Sequence, residues 1–233
     1  MRMAKKRARQ RVAVLISGRG SNMTALIEAA KHDSFPAEIA LVLSNRSDAA
    51  GLVRARAEGI ATAVVDHTAF GKERQALDRQ ALDRQAFEQA IDAQLQAHRI
   101  DLVCLAGFMR LLTPWLVRRW EGRLINIHPA LLLAYKGLNT HERVLAAGEK
   151  SHGATVHFVV PEMDSGPIIA QGSVPVHDDD TADTLAARVL AEEHRLYPLA
   201  LKLVASGRAR MVDGRCVSET HQNARGDLIA PDD

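Results

Sequence analysis

Cysteine is scarce. The chain holds two, Cys104 and Cys216, far apart in 233 residues. Two scattered cysteines build neither a disulfide framework nor a zinc site, and a reducing cytoplasm fits that usage. Cys104 sits inside the apolar run LVCLAG and reads as a core residue. No apolar run approaches the roughly 20 residues that a membrane helix needs. The basic start MRMAKKRARQR leads straight into Val12–Ile16, a run too short for a secretory signal and followed by no small-residue cleavage pattern. No Pro/Gly-rich linker interrupts the middle, so one domain with two sub-lobes is expected.

Charge excludes another class. The first ten residues hold five Lys/Arg and no acid, so of the formal net charge of +2 the other 223 residues carry −3. Residues 1–10 read as a solvated, disordered tail, and a body of that sign is not built to bind nucleic acid.

The rest of the chain has ordinary globular proportions, with 47% apolar and 25% charged residues. Short apolar runs recur at Val12–Ile16, Ile39–Leu43, Thr62–Val65, Leu102–Leu105 and Leu124–Ile127. Helical patterns lie between them, at Ser21–His32, Ala49–Glu58, within Phe70–His98, and at Pro114–Trp120. This alternation predicts an α/β fold: a mostly parallel twisted sheet, Rossmann-like, with helices on both faces. After Asn126 the pattern changes. His152–Val160 and Pro167–Val176 flank the turn-rich PEMDSG and predict an antiparallel C-terminal part. A helix over Thr181–Ser206, capped by Asp180 or Thr181, and a last strand at Arg208–Val212 follow. The expected domain spans 11–212, with halves of about 11–120 and 121–212, and 213–233 reads as a polar tail.

QALDR occurs twice in tandem, at Gln75–Arg79 and Gln80–Arg84. Five residues advance a helix by about 500°, which leaves the copies out of phase. Phe87, Ile91 and Leu95 share one stripe that Leu77 and Leu82 cannot both join, so the first copy should fray, bulge or extend into solvent.

Three motifs carry chemistry. Ser17–Asn22 reads S-G-R-G-S-N between the first strand and the first helix. Glycines there bring backbone amides close to a ligand, and the helix start beyond them favours an anion. The bland alternative is a tight turn with a helix cap. Met23 stands where a dinucleotide loop has its third glycine, and G-K-[ST] is absent, so a single phosphate is the better guest. The second motif, Leu124–Pro129, ends a buried strand in Asn126 and His128. Residues i and i+2 of a strand project from one face, here at the sheet end where open α/β folds bind ligands. The third, His152–Pro167, puts His157 on a strand and Asp164 in a turn. A carboxylate beside an imidazole favours the cationic ring and fixes its orientation. Asp164 as the partner of His128 is the preferred reading, with a plain Asx turn as the alternative, and His157 reads as a supporting histidine. The ten histidines show no H-E-x-x-H and no cysteine cluster, so no metal is expected. A serine nucleophile lacks its G-x-S-x-G.

These residues place the chain beside a known family. ISGRGSN, the SNR-x-D-A-x-GL-x-RA block at Ser44–Ala55, LAGFMRLL at Leu105–Leu112, NIHPALL at Asn126–Leu132 and HGATVHFVVPEMDSGPII at His152–Ile169 resemble, in order, the blocks of the phosphoribosylglycinamide formyltransferases. The resemblance covers about residues 11–212. It implies a cytoplasmic enzyme, monomer or homodimer, that uses 10-formyltetrahydrofolate as cosubstrate and acts on small molecules. Membranes and nucleic acid play no part. It implies that Gly20, Ser21 and Asn22 hold the substrate phosphate and that Glu193 contacts that substrate. Met109, Arg110, Leu111 and Leu112 resemble the pterin cradle, and Val160, Pro161, Glu162, Met163 and Asp164 a second folate loop. Asn126, His128 and Asp164 match the catalytic trio, with Asn126 also facing folate. The family's prolines after N-I-H-P are replaced by Leu133 and Lys136, which should leave that loop more mobile. Competing readings are a formyltetrahydrofolate hydrolase, a methionyl-tRNA formyltransferase and a non-catalytic folate or phosphate binder. The first would be expected to carry an extra N-terminal domain and the second an extra C-terminal one.

Overall fold

Alternation along four strands splits the interior into two cores, one on each side of a sheet. Strand β1 (Gln10–Ile16) sends Val12, Val14 and Ile16 into one core and Ala13 and Leu15 into the other. Strands β2 (Ala37–Ser44), β4 (Leu102–Leu105) and β5 (Leu124–His128) divide in the same way. Burial on both faces is why these runs are continuously apolar. The computed structural model describes residues 8–70, 77–218, 221–222 and 228–229; at 77–82, 221–222 and 228–229 it describes the backbone alone.

Helices α1 (Ser21–Ala30), α2 (Ala50–Ala57) and α6 (Ala182–Ser206) cover the first core. Helices α3 (Leu77–Ala97) and α4 (Pro114–Arg119) cover the second, through Phe87, Ile91 and Leu95 and through Leu116 and Val117, with Trp120 just beyond α4. The predicted stripe on α3 is thus the buried one. The backbone is helical from Leu77 through the second QALDR copy; Gln75 and Ala76 lie outside the described residues.

The remaining elements are β3 (Ala61–Val64), α5 (Thr140–Ala146), β6 (Ser151–Phe158), β7 (Ile168–Pro175), β8 (Ala209–Val212), β9 (Arg215–Ser218), β10 (His221–Gln222) and β11 (Leu228–Ile229). The main sheet runs β10-β11-β7-β6-β5-β4-β1-β2-β3. Pairing is parallel from β3 through β5 and antiparallel from β5 through β10. The chain leaves β1 toward β2, then returns to its other side as β4. The carboxyl ends of β1 and β4 therefore flank the switch point where such sheets open a crevice. Thr181 caps α6 in a capping box with Thr184, and Gly207 ends it in the left-handed region.

Two expectations are corrected. The tail expected over residues 1–10 is ordered at its end, where Gln10 opens β1 and Arg9 donates to the carbonyl of Ala37 at 2.9 Å, while residues 1–7 lie outside the described residues. The residues after Asp213, read as a polar tail, form β9, which pairs with β8, and two short strands that extend the sheet beyond β7. Asp213 and Gly214 both have positive φ, the geometry of a two-residue primed hairpin turn. Among the described residues no helix is long and apolar enough to cross a membrane.

Candidate active site

The loop after β1 turns at Gly20, whose φ of 74° lies in the left-handed region. A Cβ there would stand 3.3 Å from the Cα of Gly51 and 3.2 Å from Met23, so glycine suits both the angle and the space. Helix α1 starts with no side-chain cap, which leaves its first amides open toward a cleft of about 400 Å³. Ser17–Asn22 line that cleft on one side, and Asn45, Arg46, His67, Gly107, Met109 and Arg110 on the other. Gly20, Ser21 and Asn22 are thus brought together as expected. Asn22 is buried and donates to Glu193 of α6 at 2.5 Å, although 171 residues separate them. Burial raises the pKa of Glu193, offset in part by that bond. The Oδ1 of Asn22 is buried without a partner among the described residues.

Asn45, Arg46 and His67 had no role in the sequence reading. Asn45 accepts from the hydroxyl of Ser17 at 2.6 Å and contacts His67 through its amide at 3.2 Å. The available signal was the polar end of β2, Ser44–Asn45, beside the switch point.

The trio lies on a different part of the same rim and does not line this cleft. Asn126 and His128 project from one face of β5, as their spacing requires. His128 is buried. Its Nε2 lies 3.0 Å from the carbonyl of Tyr135. A carbonyl only accepts, so that nitrogen carries a proton. Its Nδ1 faces the Oδ2 of Asp164 at 3.5 Å, a span that leaves room for a shared or bridged proton. The expected pairing of His128 with Asp164 is present.

Asp164 is held firmly. It adopts a φ of 49°, which Asp tolerates better than most residues. Its Oδ2 accepts from the amide of Gly137 at 2.9 Å. Behind it Gly166 packs so closely on β6 that a Cβ would stand 1.7 Å from the carbonyl of Phe158.

His157 sits opposite Asn126 in the antiparallel register of β5 and β6. Its Nδ1 lies 2.8 Å from the carbonyl of Phe158 and must donate to it. Burial lowers its pKa and opposes a second proton. Its Nε2 is then an acceptor, and the Asn126 amide nitrogen is 3.3 Å away. That contact fixes which end of the amide is nitrogen and leaves its second N–H free.

The loop after Pro129 is tied at Lys136. Lys136 donates to the hydroxyl of Ser165 at 2.6 Å, and Arg143 to the carbonyl of Lys136 at 2.7 Å. Met109, Arg110 and Leu111 are exposed, and Leu112 half-buried, at the mouth of β4. Pro161, Glu162 and Met163 are exposed, and Val160 half-buried, in the loop that carries Asp164. Among the described residues, no group of three or more His, Cys, Asp or Glu could hold a metal ion.

The chain is similar to known proteins over most of its length. The model of the formyl transferase family matches residues 10–201. The chain is 44% identical over 200 residues to phosphoribosylglycinamide formyltransferase of Escherichia coli, covering 86% of this chain and 89% of that one. It is 47% identical over 197 residues to the trifunctional purine biosynthetic protein adenosine-3 of Gallus gallus, covering 84% of this chain but 18% of that one. The crystal structure of glycinamide ribonucleotide transformylase 1 from Symbiobacterium toebii superposes with a TM-score of 0.83 at 40% identity, over 93% of this chain and 97% of that one. A single family model running from the first strand into the last long helix, with relatives this similar, makes the chain a member of the formyl transferase family.

Proposed function

We propose that this protein transfers the formyl group of 10-formyltetrahydrofolate to the amine of 5'-phosphoribosylglycinamide, a step of purine synthesis. The products are formyl-phosphoribosylglycinamide and tetrahydrofolate. The observation that carries the reading is the shared face of Asn126 and His128, each side chain oriented by a further partner.

The amine nitrogen attacks the formyl carbon, and the carbonyl electron pair moves to oxygen. The free N–H of Asn126 donates to that oxygen. Tyr135 occupies Nε2 of His128, so Nδ1 is the ring nitrogen that serves the reaction, beside Asp164. As an imidazolium it donates a charge-assisted hydrogen bond. Asp164 draws the proton from the attacking amine, through water where needed. Collapse of the adduct breaks the bond from carbon to the folate nitrogen, which leaves with the proton that Asp164 took from the amine.

In this reading Gly20, Ser21 and Asn22 hold the phosphate through the open amides of α1, and Glu193 contacts the same substrate. Two strand steps separate β1 from β5. That is about 10 Å, a distance that suits a phosphate at one end of the substrate and an amine at the other. Met109–Leu112 and Val160–Asp164 flank the folate.

The test follows loss of 10-formyltetrahydrofolate by absorbance with and without glycinamide ribonucleotide. Turnover that needs the amine supports the transferase. Equal turnover with water alone would make the protein a hydrolase, and binding without turnover a non-catalytic binder. Replacing Asn126 by Ala should cost about 10²- to 10³-fold in kcat.

A further inference from the structure

Helix α3 holds two buried carboxylates that the chemistry above does not use. Glu88 is 1% exposed and Asp92 7%. They are four residues apart, so they share one helix face. Both are spent on α4, at opposite ends. Glu88 accepts from the backbone amide of Thr113 at 2.5 Å and from the Thr113 hydroxyl. Asp92 accepts from Nε of Arg119 at 2.6 Å and from the indole N–H of Trp120 at 2.9 Å.

Thr113 is the residue that precedes α4, and it uses no side-chain cap of its own. It also ends the irregular stretch that begins after β4. The other end of that stretch is anchored too: the amide of Met109 donates to the hydroxyl of Ser17 at 2.8 Å, and the amide of Ser17 to the carbonyl of Gly107 at 3.1 Å. Between these anchors run residues 109–112, outside any helix or strand, with Met109 and Leu111 largely exposed. A segment that lacks its own ladder of hydrogen bonds keeps one shape through what grips its ends.

We propose that Glu88 is a positioning residue for the folate: by holding Thr113 it fixes the backbone of Met109–Leu112 in the shape that receives the cosubstrate. This rests on the folate reading of that segment. Asp92 supplies an internal control, because it secures the far end of the same helix from the same face without touching the segment. Burial raises the pKa of Glu88, and the hydrogen bonds from Thr113 oppose that rise.

The experiment compares Glu88→Ala, Glu88→Gln, Thr113→Val and Asp92→Ala with the unaltered chain. KM is measured for 10-formyltetrahydrofolate and for glycinamide ribonucleotide, with Tm alongside. Glu88→Ala should raise the folate KM about tenfold, with kcat and the KM for the other substrate within about twofold. Thr113→Val should move in the same direction, and Glu88→Gln, which keeps one acceptor oxygen, should fall between. Asp92→Ala should lower Tm and leave the folate KM unchanged. An unchanged folate KM in Glu88→Ala, or an equal rise in Asp92→Ala, overturns the proposal. If Glu88→Ala does not fold, Thr113→Val and Glu88→Gln decide alone. Hydrogen exchange of amides 109–113 separates the two layers of the argument. Faster exchange in the Glu88 variants without ligand supports the anchor, and unchanged exchange removes it. Folate that fails to protect these amides in the unaltered chain overturns the folate reading instead.

Discussion

The amide nitrogen of Asn126 lies 3.3 Å from Nε2 of His157, directly across two antiparallel strands. Because the other nitrogen of His157 is committed to the Phe158 carbonyl, the ring presents a lone pair and dictates the orientation of the amide. His157→Phe should keep most of the buried volume and free Asn126 to rotate. We expect kcat to fall about tenfold, with both KM values little changed, and His157→Gln to recover part of the loss. Steady-state kinetics on the two variants decide. A kcat equal to that of the unaltered chain in His157→Phe removes His157 from the orienting role.

Asp164 performs two tasks that substitution can separate. Asn at 164 keeps an acceptor oxygen for the Gly137 amide and removes the negative charge facing Nδ1 of His128. Its kcat should drop about 10²- to 10⁴-fold, with Tm nearly unchanged. Asp164→Ala should be as slow and also less stable. Normal turnover by Asp164→Asn would exclude the carboxylate from the mechanism.

Acid should loosen the fold through its buried imidazoles. His141 and His152 face each other at 3.1 Å. Burial pushes the pKa of His152 down to about 4 and lowers those of His141 and His157. An unfolded histidine titrates near 6.5. Above that value both states are neutral and nothing is gained or lost. Below it the unfolded chain binds protons that the native chain refuses, so stability declines as pH falls from about 6.5 toward 4. Each such ring adds a slope of up to about 1.4 kcal/mol per pH unit. Urea midpoints at pH 7, 5.5 and 4.5 measure this, and His152→Leu should flatten the decline.

The contact between Asn22 and Glu193 joins the loop after β1, the proposed phosphate site, to α6. Asn22→Asp sets a second carboxylate against a buried one and against the incoming phosphate. The KM for glycinamide ribonucleotide should rise at least about tenfold, with a lower Tm. Varying that substrate at saturating folate provides the check, and an unchanged KM would place the phosphate elsewhere.

Much of this was legible in the chain. Four of the five parallel strands announced themselves because burial on two faces leaves only apolar choices, while the half-exposed β3 showed only as a short β-branched run. Asn126 and His128 stood out because two polar residues closed such a run at a spacing of two. What escaped notice has physical reasons. Glu88 and Asp92 look like the wet face of an amphipathic helix, and their partners Thr113, Arg119 and Trp120 lie at least 25 residues away. Asn45 meets Ser17 only once β1 and β2 are adjacent, and His67 joins them through Asn45. The β8–β9 hairpin was readable in Asp213-Gly214, a pair suited to positive φ, but the polar residues that follow hid it. The loop with Leu133 and Lys136 lacks its proline restraints, yet bonds from Lys136 and Arg143 tie it, and no local pattern foretells them.

Strand polarity has one more consequence. Strand β1 enters the sheet at Gln10 and delivers the chain to Ser17 at the chemical rim. Seven residues of strand span about 23 Å, so Gln10 and Ser17 sit at opposite rims of the sheet. Substitutions near Gln10 should therefore leave the cleft beside Ser17 unaltered.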